Sequence, residues 1–143
     1  MSKTYISLEL RRRVTKRADD TCEYCRIPLT YGFFLPYHID HIISEKHGGA
    51  TTYDNLAFAC KSCNSFKGSD LATFLAKKKI IVRIYHPRKD NWSDHFSLNE
   101  MGELIPHTDI GTATIQLLDL NIQGYCTLRR VLLAGKVKLI PNQ

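Results

Sequence analysis

The stretch that decides the fold begins His38-Ile-Asp40-His41-Ile-Ile-Ser44 and runs through Gly48-Gly49 and Asn55-Leu56. It closes on Cys60-Lys-Ser-Cys63-Asn64-Ser-Phe-Lys67. Upstream lies Cys22-Glu-Tyr-Cys25, so two C-x-x-C pairs flank an Asp-His dipeptide and two asparagines. Tyr37 to Ile42 alternates in character and follows Pro36, which predicts a short strand. Glu45 to Asp54, with two adjacent glycines, is a long excursion. Leu56 to Ala59 predicts a second strand, and Cys63 to Lys78 a helix with Phe66, Leu71, Phe74 and Leu75 on its apolar face. A strand–strand–helix unit results, with cysteine knuckles at its seams.

Zinc prefers four sulfur ligands in a tetrahedron, and a C-x-x-C turn presents two thiolates on one edge of it. Cys22, Cys25, Cys60 and Cys63 therefore form a closed site with no open position, which makes the metal structural. Metal binding then becomes folding free energy for a segment poor in hydrophobic residues. An iron–sulfur cluster is the competing occupant of four cysteines. Cys126, the fifth cysteine, reads as a small buried residue.

Between the knuckles the donors are oxygen and nitrogen. Asp40 offers a carboxylate and Asn64 an amide oxygen, a pairing suited to a hard divalent cation. Asp40 and His41 are neighbours on an extended segment and point to opposite sides. One can grip a cation while the other faces a water, for which a neutral imidazole is a competent base. These are the requirements for hydrolysing a phosphodiester. Lys67, three residues after Asn64, is placed for a phosphate contact, and Asn55 is placed to hold the long loop and orient His41.

The motif HIDHIISEKHGGATTYDNLAFACKSCNSFKG resembles that of the HNH endonucleases, the ββα-metal fold, in the form stapled by zinc. The resemblance covers about residues 8–75. It implies that Asp40 and Asn64 bind catalytic Mg²⁺ or Mn²⁺, that His41 is the general base, and that Asn55 organises the loop. It also implies zinc on Cys22, Cys25, Cys60 and Cys63, and DNA as the partner. Asn64 stands where many members carry His, and Ser44 where a Pro is common. His38 shares the strand parity of Asp40 and is a candidate extra ligand or phosphate contact.

The chain has 143 residues, 43% of them hydrophobic, and a formal charge of +6. That suits one soluble domain, or a core with an appendage, and a polyanionic partner. Arg11-Arg12-Arg13 marks a basic cluster for nucleic acid, and Lys77-Lys78-Lys79 another. Without an apolar run of 18 residues or a signal-like N-terminus, a cytoplasmic protein is expected.

Ser7 to Ala18 predicts a first helix, with Leu8, Val14 and Ala18 on its apolar side. Beyond residue 79, Ile80 to Tyr85 predicts a strand, Phe96–Leu98 and Leu104–Ile105 a hairpin, Thr112–Leu120 a helix and Leu128–Ala134 a last helix stopped by Gly135. Trp92, His95 and Phe96 resemble the tail of some small bacterial HNH proteins. His86, Asp94, His95, His107 and Asp109 read as structural or surface residues. The expected architecture is α+β: a ββα-metal nuclease core with its zinc knuckles over 1–78, and an α/β extension over 79–143 packed on it. The alternative is a non-catalytic zinc module that binds nucleic acid, with a ribbon-type protein-interaction module a weaker third reading.

Overall fold

The computed structural model describes residues 4–32 and 36–142; the stretch from Pro28 to Pro36, whose sequence reads as a loop or short extended piece, lies partly outside the described residues. The chain forms two compact units, 1–69 and 70–143. It is a mixed α+β protein, with three two-stranded antiparallel sheets among the described residues. No helix among the described residues is long and apolar enough to cross a membrane.

The first unit starts with α1, Leu8–Arg17, whose N-cap Ser7 accepts a hydrogen bond from Leu10 N at 3.1 Å. Its inward stripe is the partly buried Leu10, the buried Val14 and the buried C-cap Ala18, three positions four apart, which is the helical repeat. Leu8 was expected on that stripe but stands two residues ahead of it, on the opposite side, and is 56% exposed. The strands β1, Tyr37–His41, and β2, Leu56–Cys60, pair antiparallel with Asp40 opposite Ala57 and His41 opposite Leu56. Ile6, Val14, Ala18, Leu56 and Phe58 form the core between α1 and this sheet, joined by Tyr37 and Ile39.

The first knuckle is built into the sheet. Glu23 donates its backbone N–H to Phe58 O at 2.9 Å, and its carboxylate accepts Phe58 N–H at 2.7 Å. Both groups lie on the edge of β2 that faces away from β1, so the knuckle closes that edge.

Helix α2 runs only from Lys61 to Lys67, shorter than the expected Cys63–Lys78 helix. Gly68 adopts φ 50° and ψ −127°, a conformation that side-chain-bearing residues avoid, and it breaks the helix there. The residues beyond it pair instead: β3, Ala72–Leu75, runs antiparallel to β4, Ile80–Arg83. Phe74 and Leu75, expected on a helix face, therefore sit opposite Ile81 and Ile80. The β-branched partner strand outweighs the helical spacing.

The second unit continues through α3, Trp92–His95, the pair β5, Phe96–Leu98, and β6, Leu104–Pro106, then α4, Asp109–Leu118, and α5, Gln123–Ala134. Helix α4 packs on β3, β4 and β6. Trp92 and Phe96 stack at 5.2 Å, and Leu104, Leu118, Leu120, Leu132 and Leu139 are all buried. Arg129 has no exposed surface and donates to Gly102 O, Leu120 O and Asn121 Oδ1 at 2.7–3.1 Å. Cys126 is half-buried with its thiol 3.5 Å from Asn121 O.

Candidate metal-assisted site

The four knuckle sulfurs lie within 4.8 Å of one another, with Cys25 and Cys60 at 3.8 Å. A tetrahedron with about 2.3 Å metal–sulfur bonds has edges of about 3.8 Å. The sulfurs therefore surround a point at which a zinc ion fits. All four residues are buried. Burial pushes the Cys25 thiol up, hydrogen bonds from the neighbouring sulfurs push Cys63 up, and those to Cys60 drive it down. Four thiolates coexist at this spacing only around a cation.

The loop from Ile42 to Asn55 folds back on its own start. Asn55 Oδ1 accepts Ile43 N–H at 3.0 Å, while Nδ2 donates to Ile43 O at 2.9 Å and Ala50 O at 2.8 Å. Gly49 makes the return possible, since a Cβ there would lie 1.7 Å from Ile43 O. Asn55 thus acts on the loop backbone, and its side chain hydrogen-bonds to no other site residue among the described residues.

A cleft of about 920 Å³ opens beside the sheet, lined by His38, Asp40, His41 and Asn64 together with Arg11 and Lys61. Strand β1 supplies the first three and α2 supplies Asn64, whose position is fixed by Cys63 immediately before it. Asn64 is half-buried, and its side-chain amide makes no hydrogen bond among the described residues. His41 is 6% exposed, and its Nε2 lies 2.8 Å from Thr51 Oγ1.

Asp40 is held from behind. Tyr24 O–H donates to its Oδ2 at 2.9 Å, and Lys67 Nζ lies 3.1 Å from Oδ2 and 3.3 Å from Oδ1. Burial pushes the Asp40 carboxyl up, while Lys67 and Tyr24 pull it down. Desolvation also pushes the Tyr24 hydroxyl up, so it stays a donor.

Lys67 departs from expectation. Its side chain is 1% exposed, and it donates to His41 O at 2.9 Å as well as to Asp40. A buried carboxylate without a compensating charge costs several kcal/mol, and the ammonium of α2 supplies that charge. Lys67 is committed inside the protein rather than offered to a phosphate.

The basic cluster on α1 divides. Arg11 lines the cleft and also a second, shallow groove, where Arg12 joins it with Leu8, Lys16 and Asp20. Arg13 stacks over the Tyr53 ring at 4.4 Å, as does Arg17 at 3.9 Å.

Tyr24, Thr51 and Glu45 were not anticipated as parts of this site. Tyr24 carries one clue, its place inside the first knuckle. Thr51 and Glu45 carry none, because only loop closure brings them to His41. In the second unit His95 pairs with Thr108, His86 accepts from Arg88 and Lys89 N–H groups, and Asp109 meets Lys78. Among the described residues no other group of three or more His, Cys, Asp or Glu side chains is placed to hold a metal ion.

Residues 22–70 match the family model described as HNH endonuclease. No curated protein matches the chain. The matched segment spans both knuckles, β1, β2 and α2, and the match suggests a nuclease or nucleic-acid-binding role for this part of the molecule.

Proposed function

We propose that the chain is a metal-dependent endonuclease that hydrolyses DNA phosphodiester bonds, on a ββα-metal core formed by β1, β2 and α2. The observation that carries this reading is the single cleft shared by His38, Asp40, His41 and Asn64 inside the family match. In this reading Asp40 and Asn64 hold a divalent cation, Mg²⁺ or Mn²⁺. Their carboxylate and amide oxygens are hard donors, and the Asn64 amide has no other bond among the described residues. A cation held there neutralises charge on the phosphoryl group and on the leaving alkoxide.

The remaining steps belong to the chain. His41 takes a proton from the attacking water, and Arg11 binds a flanking phosphate in the cleft. Tyr24 and Lys67 keep the Asp40 carboxylate turned toward the cleft. The zinc on Cys22, Cys25, Cys60 and Cys63 fixes the start of α2, and so fixes Asn64. Asn55 keeps the loop closed behind His41.

Incubation of supercoiled plasmid with the zinc-loaded protein and Mg²⁺ or Mn²⁺ tests this. Nicked or linear product is expected, with the rate lowered about 10²–10⁴-fold in His41→Ala. Undiminished cleavage by His41→Ala removes that residue as the base.

One observation favours a second reading, a non-catalytic zinc module that binds nucleic acid. Asp40 already has a charge partner in Lys67, as a carboxylate with a purely structural role would. DNA retention without cleavage in any divalent metal supports that alternative.

A further inference from the structure

The mouth of the Gly48-Gly49 loop brings together three side chains that the sequence keeps apart. His41 lies on β1, Glu45 in the first turn of the loop and Thr51 on its return. Thr51 Oγ1 is 2.8 Å from His41 Nε2 and 3.5 Å from Glu45 Oε1. The threonine hydroxyl has one proton and two acceptors within reach, a ring nitrogen and a carboxylate. A charged acceptor holds a hydroxyl proton more strongly than a neutral one. When the proton points to Glu45, the Thr51 oxygen presents its lone pairs to His41, and Nε2 must then carry a hydrogen to complete the contact. His41 Nδ1, which makes no hydrogen bond among the described residues, is left with the bare lone pair.

We infer that Thr51, oriented by Glu45, is a positioning residue that fixes the neutral His41 ring as its Nε2–H tautomer, making Nδ1 the atom that accepts a proton. The inference deepens the nuclease reading and rests on it for the role of Nδ1, although the tautomer itself does not depend on activity. It also gives the double-glycine loop a purpose in the chemistry. Gly49 lets the chain return close enough to Ile43 for Thr51 to reach the ring. Threonine suits the position because one hydroxyl can accept and donate at once, which valine of the same shape cannot do.

The test is ¹⁵N NMR of the histidine side chains in the zinc-loaded full chain, with pH raised until the His41 shifts stop changing. His41 is expected to show a protonated Nε2 and an unprotonated Nδ1. Thr51→Val removes the acceptor and is expected to give a mixture of tautomers, and Thr51→Ser restores the single form. Glu45→Gln offers an amide N–H to Thr51, turns the hydroxyl proton toward the ring, and shifts the mixture toward Nδ1–H.

In the plasmid assay Thr51→Val is expected to lower kcat about 10- to 100-fold, the usual cost of losing a group that orients a reactive histidine. KM should stay within about twofold, and Thr51→Ser should recover most of the rate. A wild-type ring protonated on Nδ1, or one whose tautomer is unchanged in both Thr51→Val and Glu45→Gln, overturns the inference. A wild type that shows the Nε2–H form yet cuts no DNA overturns the nuclease reading and leaves the tautomer assignment standing.

Discussion

The two units reach a fixed structure by different means. Among the described residues, the first unit carries a modest apolar cluster around α1 and a quartet of cysteines, whereas the second buries Trp92, Phe96 and several leucines and has no such quartet. Each also buries a cation. In the first unit Lys67 faces the Asp40 carboxylate, and in the second Arg129 faces carbonyl and amide oxygens. A small core with a metal can leave a charged carboxylate beside an open cleft, because the staple supplies stability that packing does not. The second unit uses its polar interior only to hold turns and helix ends together.

Removing the metal is the strongest way to break that contrast. Chelation, or Cys60→Ser, is expected to unfold residues 4–69, since structural zinc sites are worth about 10–16 kcal/mol. Trp92, the chain's one tryptophan and only 2% exposed, should keep its buried emission meanwhile. Metal analysis of the intact protein should return one zinc per chain. Loss of the Trp92 signal together with the zinc would show that the units are not energetically separate.

The converse change strikes the second unit. Arg129→Ala leaves Gly102 O and Leu120 O without their side-chain donor, while Asn121 Oδ1 keeps the Leu104 N–H. At about 1–3 kcal/mol for each orphaned oxygen, a loss of about 2–6 kcal/mol in denaturant unfolding is expected. Zinc content should be unaffected.

A smaller effect follows at Asp90, which accepts two hydrogen bonds from Arg83 at 2.8 and 2.9 Å and one from His86 N–H. The Arg83 bonds hold the Asp90 carboxyl below its usual range. Its folded pKa lies under the unfolded value, so its stabilisation is complete above about pH 4 and fades as pH falls through the folded pKa. Asp90→Asn should cost about 1–2 kcal/mol at pH 7, a discounted figure because Arg83 is half exposed. The gap from wild type should narrow in acid. A gap that widens in acid would contradict the assignment.

The smallest expected change lies in the first unit. Ser44 has φ −65°, which a proline ring adopts, and its N–H makes no hydrogen bond among the described residues. Ser44→Pro should stabilise the loop by about 0.4–1 kcal/mol, read as a higher thermal midpoint of the zinc-loaded protein.

Much of this organisation was legible before any coordinates. The knuckles, α1, the strands β1 and β2, the β5–β6 hairpin and the Gly135 stop follow from local signals of spacing, capping and alternation. The helix expected through Lys78 failed at Gly68, where an apolar spacing common to both periods was settled by a partner strand seven residues away. Lys67 failed for another reason. Its role depends on the burial of Asp40, and burial is a property of the folded whole. Thr51 is the extreme case, a loop threonine whose neighbours are assigned by how the loop closes.

Glu23 ties the first knuckle to the outer edge of β2, and every residue of Leu56-Ala-Phe-Ala-Cys60 is buried. A chain deprived of zinc releases that grip and bares unpaired amides along an apolar strand. Such a strand recruits others like it. Zinc starvation should therefore turn this protein into aggregate rather than into a freely refolding coil, so the metal guards solubility as well as shape.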